Sequence, residues 1–282
     1  MVIKYPTAVR LLRKLRGGSQ AHLVQADDDY FYAIKSPDNP QSKRVLVNEY
    51  LGARVFEHMG IAAAKITPLH VPQSFLDGNP DFGLQFHRER VSLRSGVFLA
   101  SRYGVSPEKV AIYDMLPEPL LPKIANSSHF WGALVADQWL SNQDARQCVF
   151  FRDQTSDVNS RRGFRAGFRA VAIDHGFCLG GPSWQLRDSP LTGIYFQVAV
   201  YRTFSGAREI EPWFERLNTI TQQHFTVWVE EMPSEWLRGD EWSLQILIER
   251  LIRRKGRVLE LVEAAIEAHP KWFPDTVRPA RC

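Results

Sequence analysis

The chain has 282 residues, of which 44% are hydrophobic, 23% are charged and 12% are aromatic, a balance typical of a folded globular protein. This composition excludes a largely disordered or collagen-like chain, and the apolar runs are interrupted well before the ~18 residues that a membrane-spanning helix needs. The formal net charge of +4 suits a nucleotide, a phosphorylated metabolite, a membrane surface and nucleic acid equally well, so charge alone selects no partner.

Cysteine usage and the N-terminal residues indicate the compartment. The three cysteines, Cys148, Cys178 and Cys282, are an odd number at wide spacing, which fits neither a disulfide framework nor a zinc site. Residues 1–16 contain no uninterrupted apolar stretch and no small-residue cleavage site, so we expect no secretory signal. These features predict a reducing, cytoplasmic setting.

The first ninety residues predict a small β-sheet with one helix. Short apolar runs bounded by Gly, Asp and Pro clusters are typical of strands. We expect a β-hairpin series from Val9 to Lys35, with such runs at residues 21–24 and 30–34, and further strands at residues 66–71 and 82–86. Ser42 is expected to cap a helix whose apolar residues recur at helical spacing, and Gly60 lies just past its end. We therefore predict that residues 1–90 form a β-rich N-lobe.

The remaining residues, 91–282, predict a mostly helical C-lobe. Helices are expected at residues 107–115, 127–140, beyond Pro190, at 210–230 and at 240–268. The proline-rich residues 116–122 are expected to be irregular. Two strand-like runs, 148–152 and 169–173, are expected to pair as a hairpin, with a Ser-, Gly- and Arg-rich insertion from Asp153 to Gly167 between them.

A glycine turn, Gly17-Gly18-Ser19, lies between two of the predicted strands. Glycines allow the backbone N–H groups of a turn to approach a phosphate closely, although a plain hairpin turn has the same composition. The turn lacks the G-x-x-x-x-G-K pattern, so a Walker-type loop is excluded.

Lys35 and Glu49 are candidates for an ion pair between a strand and a helix. Lys35 ends a predicted strand, where a lysine is ordinarily a solvated edge residue. Glu49 lies among bulky apolar residues in the middle of the following helix; it is either a surface glutamate or a buried one that needs a partner. A strand lysine paired with a helix glutamate is the arrangement that directs an ammonium group at the nucleotide phosphates in kinases.

Two acidic motifs follow in the second half of the chain. Asp144 belongs to an Asn-x-Asp motif between a predicted helix and a predicted strand, where Asn142 also fits a C-cap. Asp174 lies between a strand and a glycine, a position that a simple turn residue also occupies. Each motif is weak by itself, but the order glycine turn, strand lysine, helix glutamate, Asn-x-Asp, hairpin and Asp-x-Gly is that of a bilobal phosphotransferase.

On these motifs the chain resembles the HipA-like kinase family and, more distantly, the phosphatidylinositol 3-/4-kinases. The residues that carry the resemblance are 17–19, 33–35, Val47-Asn48-Glu49, Asp137-Gln138-Trp139, 142–144 and Ile173-Asp174-His175-Gly176. The resemblance covers nearly the whole chain and implies an α+β, bilobal, protein-kinase-like fold. It does not extend to the extra N-terminal subdomain of the long HipA toxins, so no antitoxin partner is expected.

The resemblance also implies an ATP- and Mg²⁺-dependent transfer of the γ-phosphate to a protein, lipid or small-molecule acceptor that the sequence does not identify. The implied nucleotide-binding residues are Gly17, Gly18, Ser19, Lys35 and Glu49. Lys35 would hold the α- and β-phosphates, and Glu49 would orient Lys35. Asp144 would accept or orient the acceptor hydroxyl, and Asp174 would bind Mg²⁺.

Val149 departs from the kinase pattern. It stands five residues after Asp144, where kinases have a metal-binding Asn, and a valine side chain has no oxygen to offer Mg²⁺. Gln147 and Asn142 are the candidates for the missing ligand. We therefore include Asn142 with the catalytic residues and Gln147 with the metal-binding residues.

Three functions compete on this evidence. The first is an active kinase, and the second, motivated by Val149, is a pseudokinase that acts as an ATP-binding interaction module. The third is a nucleic-acid-binding protein, because basic and aromatic residues interleave from Arg161 to Arg169 as they do in single-strand binders. A solvated loop explains that run more simply, so nucleic acid is not expected as a partner, and the sequence leaves the oligomeric state open.

Overall fold

The computed structural model describes residues 5–86, 89–104, 110–153, 167–203 and 210–273. The strands in these ranges are β1 (Ala8–Lys14), β2 (His22–Ala26), β3 (Phe31–Lys35), β4 (Ile66–Val71), β5 (Gly83–Phe86), β6 (Glu89–Ser92), β7 (Gly96–Arg102), β8 (Gln147–Asp153) and β9 (Gly167–Ile173). The α-helices are α1 (Arg44–His58), α2 (Gln73–Asp77), α3 (His129–Trp139), α4 (Glu211–Asn218), α5 (Gln222–Glu230), α6 (Ser234–Leu237), α7 (Glu241–Arg254) and α8 (Val258–Ala268). Short 3-10 helices lie at Glu118–Lys123, Gly181–Ser183, Val198–Thr203 and Lys255–Arg257.

A five-stranded antiparallel sheet forms the N-terminal part of the fold. Its strand order is β1-β2-β3-β7-β4, and β5 pairs with β6 in a separate two-stranded sheet. Val24, Ile34, Leu69 and Phe98 are almost fully buried in the core that packs on this sheet. Because β7 lies between β3 and β4, the sheet extends beyond residue 90, which is the predicted end of the N-lobe.

Helix α1 connects the sheet with the helical part of the molecule. Val47, Leu51 and Val55, spaced four apart, are fully buried in the larger of the two cores, and this burial outweighs the modest helix propensity of valine. The N–H of Arg44 donates to Ser42 Oγ at 3.1 Å. Gly60 follows the helix with φ of 71°, a left-handed conformation typical of glycine at a helix C-terminus. The predicted helix is confirmed, but its N-cap is Lys43 and not Ser42.

Helix α3 lies at the centre of the helical part. Every residue from Phe130 to Trp139 is buried, and the helix packs against α1, α4 and α8. The indole Nε1 of Trp139 donates to the carbonyl of Leu251 on α7 at 2.8 Å. A helix that is apolar on all sides belongs inside the protein, and this one ends just before the Asn-x-Asp motif.

The predicted hairpin is confirmed as the antiparallel pair of β8 and β9. Its register runs from Gln147 opposite Ile173 to Asp153 opposite Gly167. Phe150 and Ala172 point to the buried face. The expected insertion falls on residues 154–166, which lie outside the described residues.

The predicted helix at 107–115 is wrong for the residues that the structure describes. Residues 110–115 are not helical, and residues 107–109 lie outside the described ranges. Tyr113 forms an antiparallel bridge with Phe150 of β8 instead. Pairing with a strand far along the chain is a tertiary contact that a local pattern does not carry.

Two predicted long helices are each divided in the structure. The helix predicted at 210–230 is interrupted before Thr221, which begins α5 with a capping box that involves His224. The helix predicted at 240–268 is interrupted by the 3-10 turn around Gly256, a residue that destabilises a helix interior. No described helix combines the length and the apolar character needed to cross a membrane.

Candidate active site

Lys35 lies at the end of β3 and is 8% exposed. Its Nζ is 2.8 Å from Oε2 of Glu49 on α1 and 3.1 Å from Oδ1 of Asp174, which directly follows β9. Glu49 is 1% exposed, and Lys35 supplies the partner that a buried carboxylate requires. Three residues from distant parts of the sequence therefore meet in one hydrogen-bonded cluster.

Burial and charge set the pKa values in this cluster. Burial by itself lowers the pKa of Lys35, but the carboxylates of Glu49 and Asp174 outweigh burial and leave this pKa raised. Burial raises the pKa of Asp174, but Lys35, Arg146 and the N–H of Gly176 outweigh it and leave this pKa lowered. Lys35 and Asp174 are therefore both charged at neutral pH.

The glycine turn lies at the same end of the sheet as Lys35. His22, the first residue of β2 after the turn, pairs with Ile34, which directly precedes Lys35. Residues 17–19 therefore lie beyond the end of β3. A Cβ atom placed on Gly17 meets no heavy atom within 4 Å, and the φ of Gly17 is 124°, so this position needs glycine for its backbone and has open space beside it. A Cβ atom placed on Gly18 would lie 2.9 Å from Nε2 of Gln41, so the open side of the turn is at Gly17.

Gln20 fixes the position of the glycine turn. Its Nε2 donates to the carbonyl of Gln85 at 2.6 Å, and its Oε1 accepts the N–H of Gln85 at 2.7 Å. The Nζ of Lys14 donates to the same Oε1 at 2.7 Å. The two bonds with Gln85 tie the turn to the strand β5, and the third joins Gln20 to Lys14 on the other side of the turn.

The loop after α3 carries Asp144, whose side chain is exposed. The N–H of Asp144 donates to Oδ1 of Asn142 at 3.1 Å, and its carbonyl accepts the N–H of Gly193 at 2.8 Å. Asn142 is 2% exposed, and its Nδ2 donates to Oδ1 of Asp137 at 3.0 Å. Both ends of the Asn142 amide form hydrogen bonds within the chain, so this side chain fixes the backbone of Asp144.

Arg146 forms a fully buried ion pair with Asp137. Its Nη2 is 2.5 Å from Oδ1 and its Nε is 2.7 Å from Oδ2 of that carboxylate. Its Nη1 donates to the carbonyls of Ile173 at 2.7 Å and Asp174 at 3.2 Å. One guanidinium group therefore joins the loop of Asp144 to the residues that position Asp174, with the complete hydrogen bonding that a buried charge requires.

The loop after Asp174 is held against α1 and against the loop of Asp144. The Nδ2 of Asn48 on α1 donates to the carbonyl of Gly176 at 2.9 Å, and Trp184 Nε1 donates to Asn48 Oδ1 at 2.7 Å. The N–H of Gln143 donates to the carbonyl of Phe177 at 2.9 Å. The loops that carry Asp144 and Asp174 are therefore adjacent.

Asp174 and His175 adopt a constrained arrangement. Asp174 has φ of 57°, a region that residues other than glycine seldom occupy and that is retained most often at functional sites. The His175 ring is fully buried and lies edge-on to Phe56, with centroids 4.5 Å apart. A Cβ on Gly52 would lie 2.7 Å from the Cβ of His175, so glycine allows this approach. Burial lowers the pKa of His175 well below its ordinary value, and the ring is neutral.

The predicted metal-binding residues lie at the open end of the hairpin. Gln147 is exposed and lies opposite Ile173, the residue before Asp174. Val149 lies on the same face of the hairpin as Gln147, and the residue opposite it is Val171. The position next to Gln147 on this face is therefore apolar. Among the residues that the structure describes, no group of three or more His, Cys, Asp or Glu side chains forms a metal site. The Asp174 side chain is 32% exposed, which suits a magnesium ion that takes its other oxygens from phosphates and water.

Asn48, Arg146 and Trp184 support the site but had no role predicted from the sequence. Asp137 is the sequence feature that could have indicated a buried basic residue such as Arg146, because an aspartate inside an apolar helix requires a basic partner. Nothing in the spacing of the chain indicated which of its arginines that partner is. The hydrogen bond between Trp184 and Asn48 joins residues 136 positions apart, and no local pattern predicts it.

Comparison with known proteins identifies the fold. No protein-family model matches the chain, and no curated protein matches its sequence. Among solved structures, the Helicobacter pylori proinflammatory kinase CtkA is 13% identical, with a TM-score of 0.55 over 92% of this chain and 96% of that chain. The Golgi casein kinase is 11% identical, with a TM-score of 0.44 over 97% of this chain and 76% of that chain. The similarity to CtkA confirms the predicted α+β, bilobal, kinase-like fold.

Proposed function

We propose that the protein is an ATP- and Mg²⁺-dependent kinase that transfers the γ-phosphate of ATP to a hydroxyl group of an acceptor. The observation that carries this proposal is the contact of Lys35 with both Glu49 and Asp174. It unites a cation suited to phosphate oxygens and a carboxylate suited to Mg²⁺ on a fold that is similar to that of a kinase. Phosphoryl transfer requires mainly such positioning and charge neutralisation from a protein.

The N-terminal residues bind and orient the nucleotide in this proposal. The ammonium group of Lys35 contacts the α- and β-phosphates, and Glu49 holds it in position through their 2.8 Å ion pair. The backbone N–H groups at residues 17–19 cover the phosphates from the open side of the turn. Mg²⁺, when bound, neutralises phosphate charge; Asp174 would hold it, and Gln147 is the next candidate ligand.

Asp144 serves the acceptor. Its exposed carboxylate orients the acceptor hydroxyl, whose oxygen attacks the γ-phosphorus while the bond from phosphorus to the ADP oxygen breaks. Asp144 accepts the hydroxyl proton as the new bond forms. Asn142 and Arg146 are positioning residues, because they fix the backbone of this loop and of the loop that carries Asp174.

The proposal is tested by incubating the protein with γ-labelled ATP and Mg²⁺ and measuring self-labelling and labelled products from protein, lipid and small-molecule extracts. We expect Asp144→Asn to lower turnover by about 100-fold or more with an unchanged dissociation constant for ATP, because the carboxylate acts in the transition state. Asp77→Asn, an exposed aspartate on α2, is the matched control and should retain full turnover. Wild-type labelling no higher than that of Asp144→Asn would contradict the proposal.

A pseudokinase is the second candidate, and Val149 is the observation that favours it. Val149 occupies the position of the usual metal-binding Asn and presents no oxygen. If Gln147 supplies the oxygen instead, Gln147→Ala lowers turnover while Val149→Ala does not. Mg²⁺-dependent ATP binding without any transfer would instead support the ATP-binding interaction module.

The cytoplasmic location is also a proposal. Cys148 and Cys178 are both buried and free, as expected for thiols in a reducing compartment. Labelling of the unfolded protein from freshly lysed cells with a thiol reagent tests it, because cysteines kept reduced in the cell react fully.

A further inference from the structure

A groove lined by arginines lies in the helical part of the molecule. Its volume is about 500 Å³. The residues that line it, called the arginine groove below, are Gln185, Leu186, Arg250, Arg253, Arg254 and Arg257. The four arginines come from the end of α7 and the 3-10 turn that follows it, at the spacing that places residues on one face of a helix.

Arg254 forms the fixed base of the arginine groove. It is 9% exposed, and its guanidinium group donates to the carbonyls of Trp139 at 3.1 Å, Gln138 at 3.2 Å and Arg187 at 3.2 Å. It also pairs with the carboxylate of Asp188. These contacts anchor the end of α7 to the end of α3, so the groove stands on a rigid support.

Acidic residues compensate some of the arginines of the groove more fully than others. Asp188 is shared by Arg254 and Arg257, and Arg257 also pairs with Glu260 at 2.9 Å. Arg253 lies 3.6 Å from Glu249, and its side chain is 76% exposed. A pair so exposed contributes little, so the guanidinium group of Arg253 is available to a ligand.

Arg250 completes the open side of the groove. It is exposed and has no acidic partner in the part of the chain that the structure describes. A basic residue at a helix C-terminus interacts favourably with the helix dipole whether or not it lines a cavity. The dipole therefore explains basic residues near the end of α7, but it does not explain their convergence on one groove.

We propose that the arginine groove binds the phosphate group of a small phosphorylated molecule. A guanidinium group presents paired N–H donors that match phosphate oxygens and is the preferred side chain for this recognition. The volume lies within the range of about 300–1,000 Å³ that small-molecule sites occupy. The amide of Gln185 and the side chain of Leu186 provide a polar and an apolar contact for the remainder of the ligand.

The groove is connected to the loop of Asp144 through one segment of chain. Residues 185–186 line the groove, and the N–H of Arg187 donates to Ser141 Oγ at 2.8 Å. Further along, the N–H of Gly193 donates to the carbonyl of Asp144 at 2.8 Å. A molecule in the arginine groove therefore contacts the segment that also supports Asp144. The proposal concerns binding and does not depend on phosphoryl transfer.

The test is calorimetric titration with sodium pyrophosphate in the presence of EDTA, which keeps divalent metal out of the experiment. Four proteins are compared: the wild type, the double variant Arg250→Gln/Arg253→Gln, Lys35→Met and Arg202→Gln. The double variant changes exposed side chains, and an unchanged melting temperature confirms that it is folded. Arg202 is an exposed arginine outside the groove and serves as the matched control.

We expect the double variant to bind pyrophosphate at least about tenfold more weakly than the wild type, since charge-assisted hydrogen bonds are lost. Arg202→Gln should bind it as the wild type does, and Lys35→Met should retain the binding that depends on Arg250 and Arg253. Weaker binding in Lys35→Met, with the double variant unaffected, would place the anion in the nucleotide site and overturn the proposal. Absence of pyrophosphate binding by the wild type, together with equal sedimentation of the wild type with and without phosphatidic acid, would overturn it as well.

A parallel arm distinguishes a soluble ligand from a lipid head group. The same four proteins are sedimented with phosphatidylcholine vesicles that contain phosphatidic acid, and with vesicles that lack it. Retention that requires both phosphatidic acid and the two arginines would show that the phosphate is presented by a lipid. Pyrophosphate binding without vesicle retention would show a soluble ligand. Both results support the phosphate site, whereas retention that requires phosphatidic acid and is as strong in the double variant as in the wild type contradicts it.

Discussion

Lys35 shows what a single residue contributes to this site. A lysine at a strand end is ordinarily solvated, yet here it is buried between two carboxylates that raise its pKa. The sequence indicated this pair as one of two alternatives, because Glu49 lies among apolar residues and needs a cation if it is buried. Local patterns did not predict the contact of Lys35 with Asp174, since these residues lie 139 positions apart in the sequence.

Lys35→Met is expected to weaken ATP binding by at least about tenfold, since it removes the charge-assisted contact to the phosphates. It also leaves Glu49 buried without its cation, so the melting temperature is expected to fall. The measurement is the dissociation constant for ATP, determined by calorimetry at a temperature where the variant is folded. Lys65→Met, an exposed lysine before β4, is the control and should bind ATP normally. Equal affinities in the two variants would remove Lys35 from the nucleotide site.

His22 makes the stability of the sheet depend on pH. Burial, followed by the charges of Lys14 and Arg90, lowers its pKa from 6.5 to about 4. As the pH falls from 6.5 towards 4, the unfolded chain binds a proton at this residue before the folded protein does. The folded state therefore loses stability across that window, by on the order of 2 kcal/mol for this residue.

His22→Leu is expected to flatten that pH dependence. Urea unfolding at pH 7.5 and pH 4.5 gives the free energy of unfolding at each pH, and the difference between them should shrink in the variant. Phe82→Leu is the control, because it weakens the ring contact of His22 but keeps the titrating group. If the difference in the free energy of unfolding between the two pH values is unchanged in His22→Leu, other groups cause the loss of stability at low pH.

At the scale of secondary-structure elements, local patterns predicted most of the strands and the two helices α1 and α3. They did not predict β6 and β7, and they misplaced several boundaries. Alternation and turn residues are local properties, so the hairpin of β8 and β9 was predicted from the sequence. The division of the C-terminal helical region into α7 and α8 was not predicted. The helical spacing of apolar residues continues across Gly256, and each of the two helices buries one apolar face. Only the 3-10 turn that the structure shows separates α7 from α8.

The junction between α3 and the hairpin depends on the buried pair of Asp137 and Arg146. Arg146→Met is expected to destabilise the protein by about 3–5 kcal/mol, because it leaves Asp137 buried without a partner. Asp137→Leu should have a similar cost for the same reason. The measurement is the free energy of unfolding in urea for both single variants and the double variant. We expect the double variant to lose less than the sum of the two, and strict additivity would show that the pair is not coupled.

At the scale of the whole molecule, the lobes meet at the candidate site. The sheet includes β7 and so continues to Arg102, and we propose that the division of the two lobes follows this strand and not residue 90. Lys35 and Glu49 come from the first lobe, and Asp144 and Asp174 come from the second. A ligand that contacts both lobes therefore binds the native arrangement only, and it stabilises the whole molecule.

ADP and Mg²⁺ together are expected to raise the melting temperature more than ADP alone. Differential scanning fluorimetry with each ligand separately and in combination provides the measurement. Asp174→Asn should abolish the additional increase due to Mg²⁺ while the increase due to ADP is retained. Asp114→Asn, an exposed aspartate before the 3-10 helix Glu118–Lys123, should behave as the wild type does. A magnesium effect that survives Asp174→Asn would assign the metal to another residue.

The register of β8 and β9 has a practical consequence. Because Asp153 lies opposite Gly167, the chain leaves the hairpin and returns to it at neighbouring positions. The entropy cost of closing the connection changes by only about 0.6 kcal/mol for each doubling of its length, and the ladder separates that connection from Asp174. We therefore expect a fluorescent reporter peptide inserted between residues 154 and 166 to leave the contacts of Lys35 with Glu49 and Asp174 intact, and to provide an attachment point for observing ligands of the candidate site.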